Sequence, residues 1–240
     1  MRVFIQKLAG VHLGAQGEVA ERGFCSFGIE CHEFLADDDL EGLERGDLVL
    51  GNRLVVGRRL RDLGIDATLD AYPEALSAVM PPSVRAMDAQ DLRKEDLPAF
   101  LRPRGGDAFE PVCAYEMADL VASGVKGRVW ASEVMWFEAT WRLFCRHGER
   151  VALLGLEGDP RVVCDDAFVE RCRLLWEDMP AACALDFGVT EGGETTVVCA
   201  RDVLKVSPVG LDARSWALLL SARWAELAGV ADPLADVACP

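Results

Sequence analysis

The sequence lacks the features that would place it in a bilayer, on nucleic acid or around a zinc ion. No apolar run reaches the roughly 18 residues that a membrane span requires. The N-terminus, MRVFIQKLAG, has no basic lead followed by a long apolar block, so no secretory signal is expected. The nine cysteines include no C-x-x-C pair, which argues against a zinc ribbon and a thioredoxin-type motif. Cys25, Cys31 and His32 lie close together but want a fourth ligand. Irregular cysteine spacing predicts reduced thiols, and hence a cytoplasmic location with no structural disulfide. There is no G-x-S-x-G elbow, and no glycine-rich dinucleotide fingerprint follows a strand. Gly10–Gly17 has neither G-x-G-x-x-G order nor the Lys-Ser/Thr of a phosphate loop. Basic residues are also short, 25 against 40 acidic, and the net charge of −15 would repel the phosphates of nucleic acid.

What is present is a globular chain. At 240 residues, 51% hydrophobic and 27% charged, it has room for one large domain or two small ones. Met1–Lys7 alternates apolar positions and predicts a strand, and Gly23–Phe34, with Phe24, Phe27, Ile29 and Phe34, predicts a second β run. Asp37, Asp38 and Asp39 form an acidic connector suited to the positive end of a helix. Leu48–Val56 predicts a strand and a turn at Gly51-Asn52. Val56, Leu60 and Leu63 recur at helical spacing up to Gly64, and Ile65–Leu69 predicts the next strand. A short helix over Leu76–Met80 stops at Pro81-Pro82, and the polar stretch Pro81–Pro98 suits a domain boundary.

Further on, Tyr115–Ser123 predicts a helix ended by Gly124. Val129–Phe137 predicts an apolar strand whose Glu133 needs a partner such as Arg142, because an unpaired buried carboxylate is costly. Leu143–Cys145 and Val151–Leu156 predict a hairpin with His147 exposed at its tip. Asp165–Met179 predicts an amphipathic helix with Phe168, Cys172, Leu175 and Met179 on one stripe. Asp212 caps a final helix that buries Trp216, Leu219, Leu220, Trp224 and Leu227 on one side, and Ala231–Pro240 is expected to fray.

Ala184–Asp202 carries the chemistry. Ala184–Val189 reads as a strand with one carboxylate, Asp186, among apolar residues. Gly192-Gly193 supplies a tight turn, and Thr195–Cys199 returns as a β-branched run. Period-two alternation would put Val197, Cys199 and Arg201 on one face. A carboxylate facing two polar positions at i and i+2 is the layout of an ATP–metal site.

These motifs, in their order, resemble the ATP-grasp fold, that of D-alanine–D-alanine ligase and glutathione synthetase, in its R2K-type form. The resemblance rests on AFLRP at Ala99–Pro103, the loop Gly105-Gly106-Asp107, Ser132-Glu133-Val134, Thr140-Trp141-Arg142-Leu143-Phe144, Leu185-Asp186-Phe187-Gly188-Val189 and SARWAELAG at Ser221–Gly229. The stretch GLERGDLVLGNRLVVGRRLRDLGIDATLDAYPEAL resembles the preceding segment of the same proteins. The resemblance implies an α/β (α+β) chain: two α+β lobes over 99–232, a small N-terminal α/β domain over 1–98 and a tail over 233–240.

It also implies ATP and Mg²⁺ as cofactors. Arg102 stands where the family has a phosphate-binding Lys. Gly105 and Gly106 belong to the loop over the nucleotide, and Glu133 and Val134 lie at the adenine hinge. Thr140 replaces a ribose-binding Glu. Arg142 matches a catalytic position, and Asp186 is the metal ligand. The Glu-x-Asn that completes the metal site reads Cys199-x-Arg201 here. The implied partners are a nucleotide and an unidentified small-molecule, peptide or protein, with no nucleic acid and no membrane.

Magnesium takes oxygen ligands in an octahedron, and cysteine is a poor substitute. A guanidinium about 4 Å from a divalent ion is repelled by several kcal/mol at an effective dielectric near 20. Two readings follow. In one, a degenerate protein binds a nucleotide or a partner with weak or no ligation. In the other, an active diverged carboxylate–amine ligase uses one Mg²⁺ on Asp186, with Arg201 acting on phosphate charge. The changes at Arg102, Thr140, Cys199 and Arg201 favour the first, and a scaffold without ligand is a third possibility. Asp186 and Arg201 are expected to meet across the hairpin.

Overall fold

The computed structural model describes residues 1–239 apart from 14, 41, 66–68, 106 and 107, with the backbone alone at 15, 37, 38 and 53. Among the described residues, three four-stranded sheets organise the fold. In the first, β1 (Val3–Leu8) runs parallel to β3 (Cys31–Phe34) and β4 (Leu48–Leu50) and antiparallel to the short β2 (Val11–His12). Helix α1 (Ala15–Ser26) connects β2 to β3, and α2 (Arg53–Asp62) follows β4. Asn52 caps α2 by accepting from the Leu54 and Val55 amides, and Val56 and Leu60 turn into the core as their spacing predicts. The predicted strand Ile65–Leu69 lies largely outside the described residues.

The β run expected over Gly23–Phe34 is corrected. Gly23, Phe24 and Cys25 close α1, and only Cys31–Phe34 is strand. Phe24 is fully buried in the core that α1 shares with the final helix. A Cβ at Gly23 would sit 1.9 Å from the Ala213 carbonyl oxygen, so this glycine marks a helix crossing, not a strand.

The second sheet has the order β5-β8-β6-β7, every pair antiparallel: β5 (Arg85–Asp88), β6 (Ala99–Pro103), β7 (Val112–Ala114) and β8 (Arg128–Ser132). Its core is Leu101, Ala114, Val129 and Ala131, with Leu120 from α3 (Met117–Ala122). The strand expected over Val129–Phe137 stops at Ser132, and 133–137 are irregular. Phe137 leaves the sheet to cover Gly188, where an added Cβ would lie 2.3 Å from its ring.

The third sheet is antiparallel with order β10-β9-β11-β12: β9 (Ala139–Arg146), β10 (Glu149–Gly158), β11 (Ala182–Val189) and β12 (Thr195–Asp202). His147 is exposed in the β9–β10 turn, as expected. Helix α4 (Asp166–Leu175), capped by Asp165, covers one face through Val169, Cys172 and Trp176. Phe168 and Cys172 pack there as predicted and Met179 joins them from beyond the helix end, but Leu175 is exposed. Helix α5 (Ala213–Ala228) covers part of the other face. It is buried nearly all round because α1 and the first sheet pack on its far side, so Ala217, Leu218, Ser221 and Ala222 are buried along with the predicted stripe. The tail expected to fray is docked. Leu234 is buried, and Arg146 donates to the Leu234 and Val237 carbonyls at 2.6 and 2.5 Å and to Asp232 at 3.2 Å.

Candidate functional site

Strand pairing assembles the site. Asp186 on β11 stands directly opposite Arg142 on β9 and opposite Cys199 on β12. Arg142 grips the carboxylate with two parallel bonds, Nε to Oδ1 at 2.7 Å and Nη2 to Oδ2 at 2.9 Å. The predicted approach of Arg201 is present, its Nε donating to Oδ2 at 2.9 Å. Asp186 and Arg142 are both buried, whereas 39% of the Arg201 side chain is exposed.

The shared face expected for Val197, Cys199 and Arg201 is corrected by a β-bulge. Phe187 pairs with Val197 but Asp186 pairs with Cys199, so Val198 is an extra residue on β12. The bulge inverts the alternation. Val197 packs with Leu185 and Phe187 on the α4 face, while Cys199 and Arg201 both reach Asp186.

Burial pushes the Cys199 thiol up, with the Asp186 charge adding to it and Arg102 and Arg201 pulling against it. The sulfur therefore stays protonated at neutral pH, 3.8 Å from Asp186 Oδ2. A metal ligand would need the thiolate.

Arg102 comes from β6 of the second sheet. It is 7% exposed, its guanidinium lies 5.0 Å over the Phe100 ring, and its Nε has no hydrogen-bond partner among the described residues. Tyr72 sits beside it, buried, with its ring edge-on to Trp130 at 5.4 Å. Burial pushes the Tyr72 hydroxyl up, and the Arg102 charge partly offsets this. The segment around Tyr72 ties two sheets together: the Trp130 Nε1 donates to Asp70 at 2.5 Å, and the Ala200 amide donates to the Ala71 carbonyl at 2.7 Å. In the sequence Tyr72 has no role beyond preceding the predicted helix Leu76–Met80. The available signal was a rare tyrosine, one of two in the chain.

The remaining predicted residues are dispersed. Thr140 is half-buried opposite Gly188 on β11. Glu133 is exposed, and Val134 is half-buried. The Glu133–Arg142 pair is corrected: Arg142 is committed to Asp186, and because the strand ends at Ser132 the Glu133 carboxylate stays in water and needs no buried partner. Gly105 lines a cavity with Arg102 and Arg201, while Gly106 lies outside the described residues.

That cavity, about 660 Å³, opens between α2 and the ends of β6 and β12. Its wall carries four basic residues, Arg61, Arg102, Arg201 and Lys205, against two acidic ones, Glu110 and Asp202. A second cavity of about 620 Å³ is lined by Glu133, Met135, Met80 and Phe168. Of the predicted nucleotide residues, Arg102 and Gly105 line the first hollow and Glu133 the second, while Val134 and Thr140 line neither.

A divalent ion does not fit the residues at Asp186. Both carboxylate oxygens are held by guanidiniums, the neighbouring thiol is protonated, and Arg201 already supplies a cation. Among the described residues no group of three or more His, Cys, Asp and Glu side chains stands ready for a metal.

A family model described as an ATP-grasp domain, R2K clade family 2, matches residues 82–217. No curated protein matches the sequence. Among solved structures, D-cycloserine synthetase DcsG superposes with a TM-score of 0.57 at 12% identity, covering 92% of this chain and 99% of that one. D-alanine–D-alanine ligase from Bacillus anthracis superposes with a TM-score of 0.52 at 11% identity, covering 95% and 97%. The same ligase complexed with ATP gives 0.54 at 11% identity, covering 93% and 95%. At such identities the likeness is one of fold.

Proposed function

Because this chain belongs to the R2K clade family 2 of the ATP-grasp domain, and carries that mixed α/β fold, we propose that it is a nucleotide- or partner-binding ATP-grasp protein with weak or no ligase activity, working in the cytoplasm. One observation carries the reading: Asp186, the acid in the family's metal position, is held by Arg142 on one side and Arg201 on the other. Phosphoryl transfer in metal-dependent enzymes relies on a divalent ion to neutralise developing charge on the phosphates. Here a fixed guanidinium takes the place of that charge. It attracts phosphate oxygens but offers no exchangeable coordination site.

In this reading Arg102 and Arg201 hold the phosphate end of the nucleotide. The backbone of the hinge at Glu133 and Val134 meets the adenine edge, and Thr140 offers one hydrogen bond to the ribose where a carboxylate would offer more. Arg142 acts as a positioning residue that fixes Asp186, and Asp186 in turn orients Arg201. The ligase of the same fold crystallised with ATP supports a nucleotide as the first ligand to try.

The test pairs a thermal shift with an activity assay. ATP should raise the melting temperature, since a ligand bound to the native state alone stabilises it. Release of phosphate from Mg²⁺–ATP should stay at background with amino acids and small peptides as acceptors. Robust Mg²⁺-dependent turnover would overturn the reading and make Arg201 a catalytic residue.

A further inference from the structure

We propose that Cys25 and Cys31 form a redox-sensitive clasp: a small disulfide such as oxidised glutathione converts their two thiols into one protein disulfide that ties the end of α1 to the start of β3. Neither cysteine lines either cavity, and the clasp stands whether or not the chain binds a nucleotide.

The end of α1 sets the geometry. Gly28 takes the left-handed conformation, with φ of +73°. The Ile29 amide donates to the Phe24 carbonyl at 3.1 Å, and the Gly28 amide to the Cys25 carbonyl at 3.0 Å. This is a Schellman close, and the apolar contact that accompanies it is present, since Phe24 and Ile29 pack in the same core. The chain therefore doubles back on the turn it has just left. Cys31 opens β3 in register with Val3 of β1 and packs partly buried against the core that α1 shares. Cys25 stands on the last turn of α1, and its thiol meets the Cys31 thiol. Helix and sheet hold the two sulfurs together from opposite sides, as a disulfide demands. Glu21 lies one turn before Cys25 on α1, and Glu33 lies two residues after Cys31 on β3, so both acids share this seam. Lys7 bonds them at 2.9 and 2.7 Å. These ion pairs keep α1, β1 and β3 joined when the thiols are reduced, so the disulfide is an addition to the fold and not a condition of it.

Access sets the order of events. Cys25 is exposed and Cys31 is half-buried. Burial, the neighbouring Cys25 and the Glu21 carboxylate push the Cys31 thiol up to about 12, with Lys7 pulling against them. Cys31 therefore stays a thiol while Cys25 meets the oxidant. The Cys25 thiolate attacks one sulfur of glutathione disulfide, forming a mixed disulfide and expelling a glutathione thiolate, which takes up the proton that Cys25 lost. The Cys31 sulfur then attacks the Cys25 sulfur. The protein S–S bond forms, the bond to glutathione breaks, and the Cys31 proton leaves on the second glutathione. The protein dithiol loses two electrons, and one glutathione disulfide becomes two thiols. Cys145 and Cys183 make the contrast. They face each other across β9 and β11 with their thiols in contact, but both are fully buried and out of an oxidant's reach.

The full chain, folded and reduced, is incubated with glutathione disulfide, its remaining thiols are alkylated, and it is cleaved after Glu30. The peptides carrying Cys25 and Cys31 should stay joined by a bond that dithiothreitol releases. Cys31→Ser should stop at the mixed disulfide, with glutathione held on Cys25, and Cys25→Ser should acquire little glutathione at Cys31. Amide hydrogen exchange supplies a readout on the wild-type chain that needs no variant. Oxidation should slow exchange several-fold in the last turn of α1 and in β3, because the cross-link suppresses local opening there, and should leave β9 and β11 unchanged. Thiols that stay free in the folded chain, a mixed disulfide on Cys25 that never resolves, or a bond that forms only after urea is added would overturn the proposal. So would a bond from either cysteine to another in the chain, or exchange at the α1–β3 corner that oxidation does not alter.

Discussion

Two buried acids on one hairpin, Asp186 on β11 and Asp202 at the end of β12, are surrounded in opposite ways. Asp202 takes the Nε and Nη2 of Arg223 at 2.8 and 2.7 Å on one oxygen and the Leu204 amide at 2.9 Å on the other. Arg223 is itself shared with Glu226 at 2.5 Å, and Glu226 also accepts from the Ala181 amide. There, two acids close around one guanidinium, and α5 is clamped to the sheet. At Asp186 the ratio is inverted: one acid faces two guanidiniums directly, and a third, Arg102, waits beside Cys199. A cluster balanced by its own residues explains itself as structure. A cluster with cation to spare, opening on a cavity, needs an anion from outside.

The sharpest way to break this comparison is to neutralise each acid in turn. Asp186→Asn and Asp202→Asn should each lose about 3–5 kcal/mol, the usual cost of breaking a buried ion pair. Only Asp186→Asn should recover with millimolar pyrophosphate in the urea-unfolding buffer, because only that site keeps a surplus of guanidinium. Equal recovery of Asp202→Asn would erase the distinction.

Next in size is a gain. Cys199→Glu with Arg201→Asn supplies oxygen ligands where the family has them. It should confer a Mg²⁺-dependent shift in melting temperature with ATP. At a hundredfold excess over Kd the stabilisation is about 2.7 kcal/mol, roughly 5–10 °C for a chain of this size. A double variant that folds without any such shift would mean the pocket is closed elsewhere, with Tyr72 the first residue to suspect.

Arg201→Ala alone should cost much less than Arg142→Ala. The Arg201 side chain is 39% exposed, so water screens its charge, and a loss of about 1 kcal/mol is expected in urea unfolding. A loss matching that of Arg142→Ala would place Arg201 among the structural pairs.

The smallest effect concerns a third acid, remote from both clusters. Burial pushes the Asp47 carboxyl up, but bonds from the Arg2 side chain and amide and the Glu44 amide outweigh it and leave the group below its ordinary value of 3.8. A folded-state value below the unfolded one contributes stability above pH 3.8 and loses it as pH falls through the folded value. Asp47→Asn should lower the melting temperature modestly at neutral pH, where the carboxylate contributes, and flatten its fall with acid below about pH 4.

Much of the third sheet was legible in the sequence, because its strands are apolar runs rich in β-forming residues and its turns are marked by His147-Gly148 and Gly192-Gly193. The meeting of Asp186 with Arg201 was legible too: a lone acid among apolar residues has to find a cation. The bulge at Val198 was not, since one extra residue leaves no compositional trace and yet inverts every face beyond it. Helix α1 was hidden because Phe24, Phe27 and Ile29 mimic a strand, and the reason for Gly23 lies on α5, far along the chain. Arg102 was found from its motif. Its isolation, the feature that gives the cavity meaning, depends on Tyr72 and Cys199 arriving from two other segments and on burial keeping both uncharged. Glu133 looked buried because its neighbours are apolar, but the strand ends one residue before it.

One titration tests directly whether arginine replaces the divalent ion. ATP is titrated calorimetrically into the wild-type chain, once in EDTA and once in excess Mg²⁺. The predicted result is binding in EDTA that Mg²⁺ leaves no tighter, since the ion gains no ligand from Asp186 and shields the phosphates from Arg102 and Arg201. Binding that is absent in EDTA and appears with Mg²⁺ would contradict it.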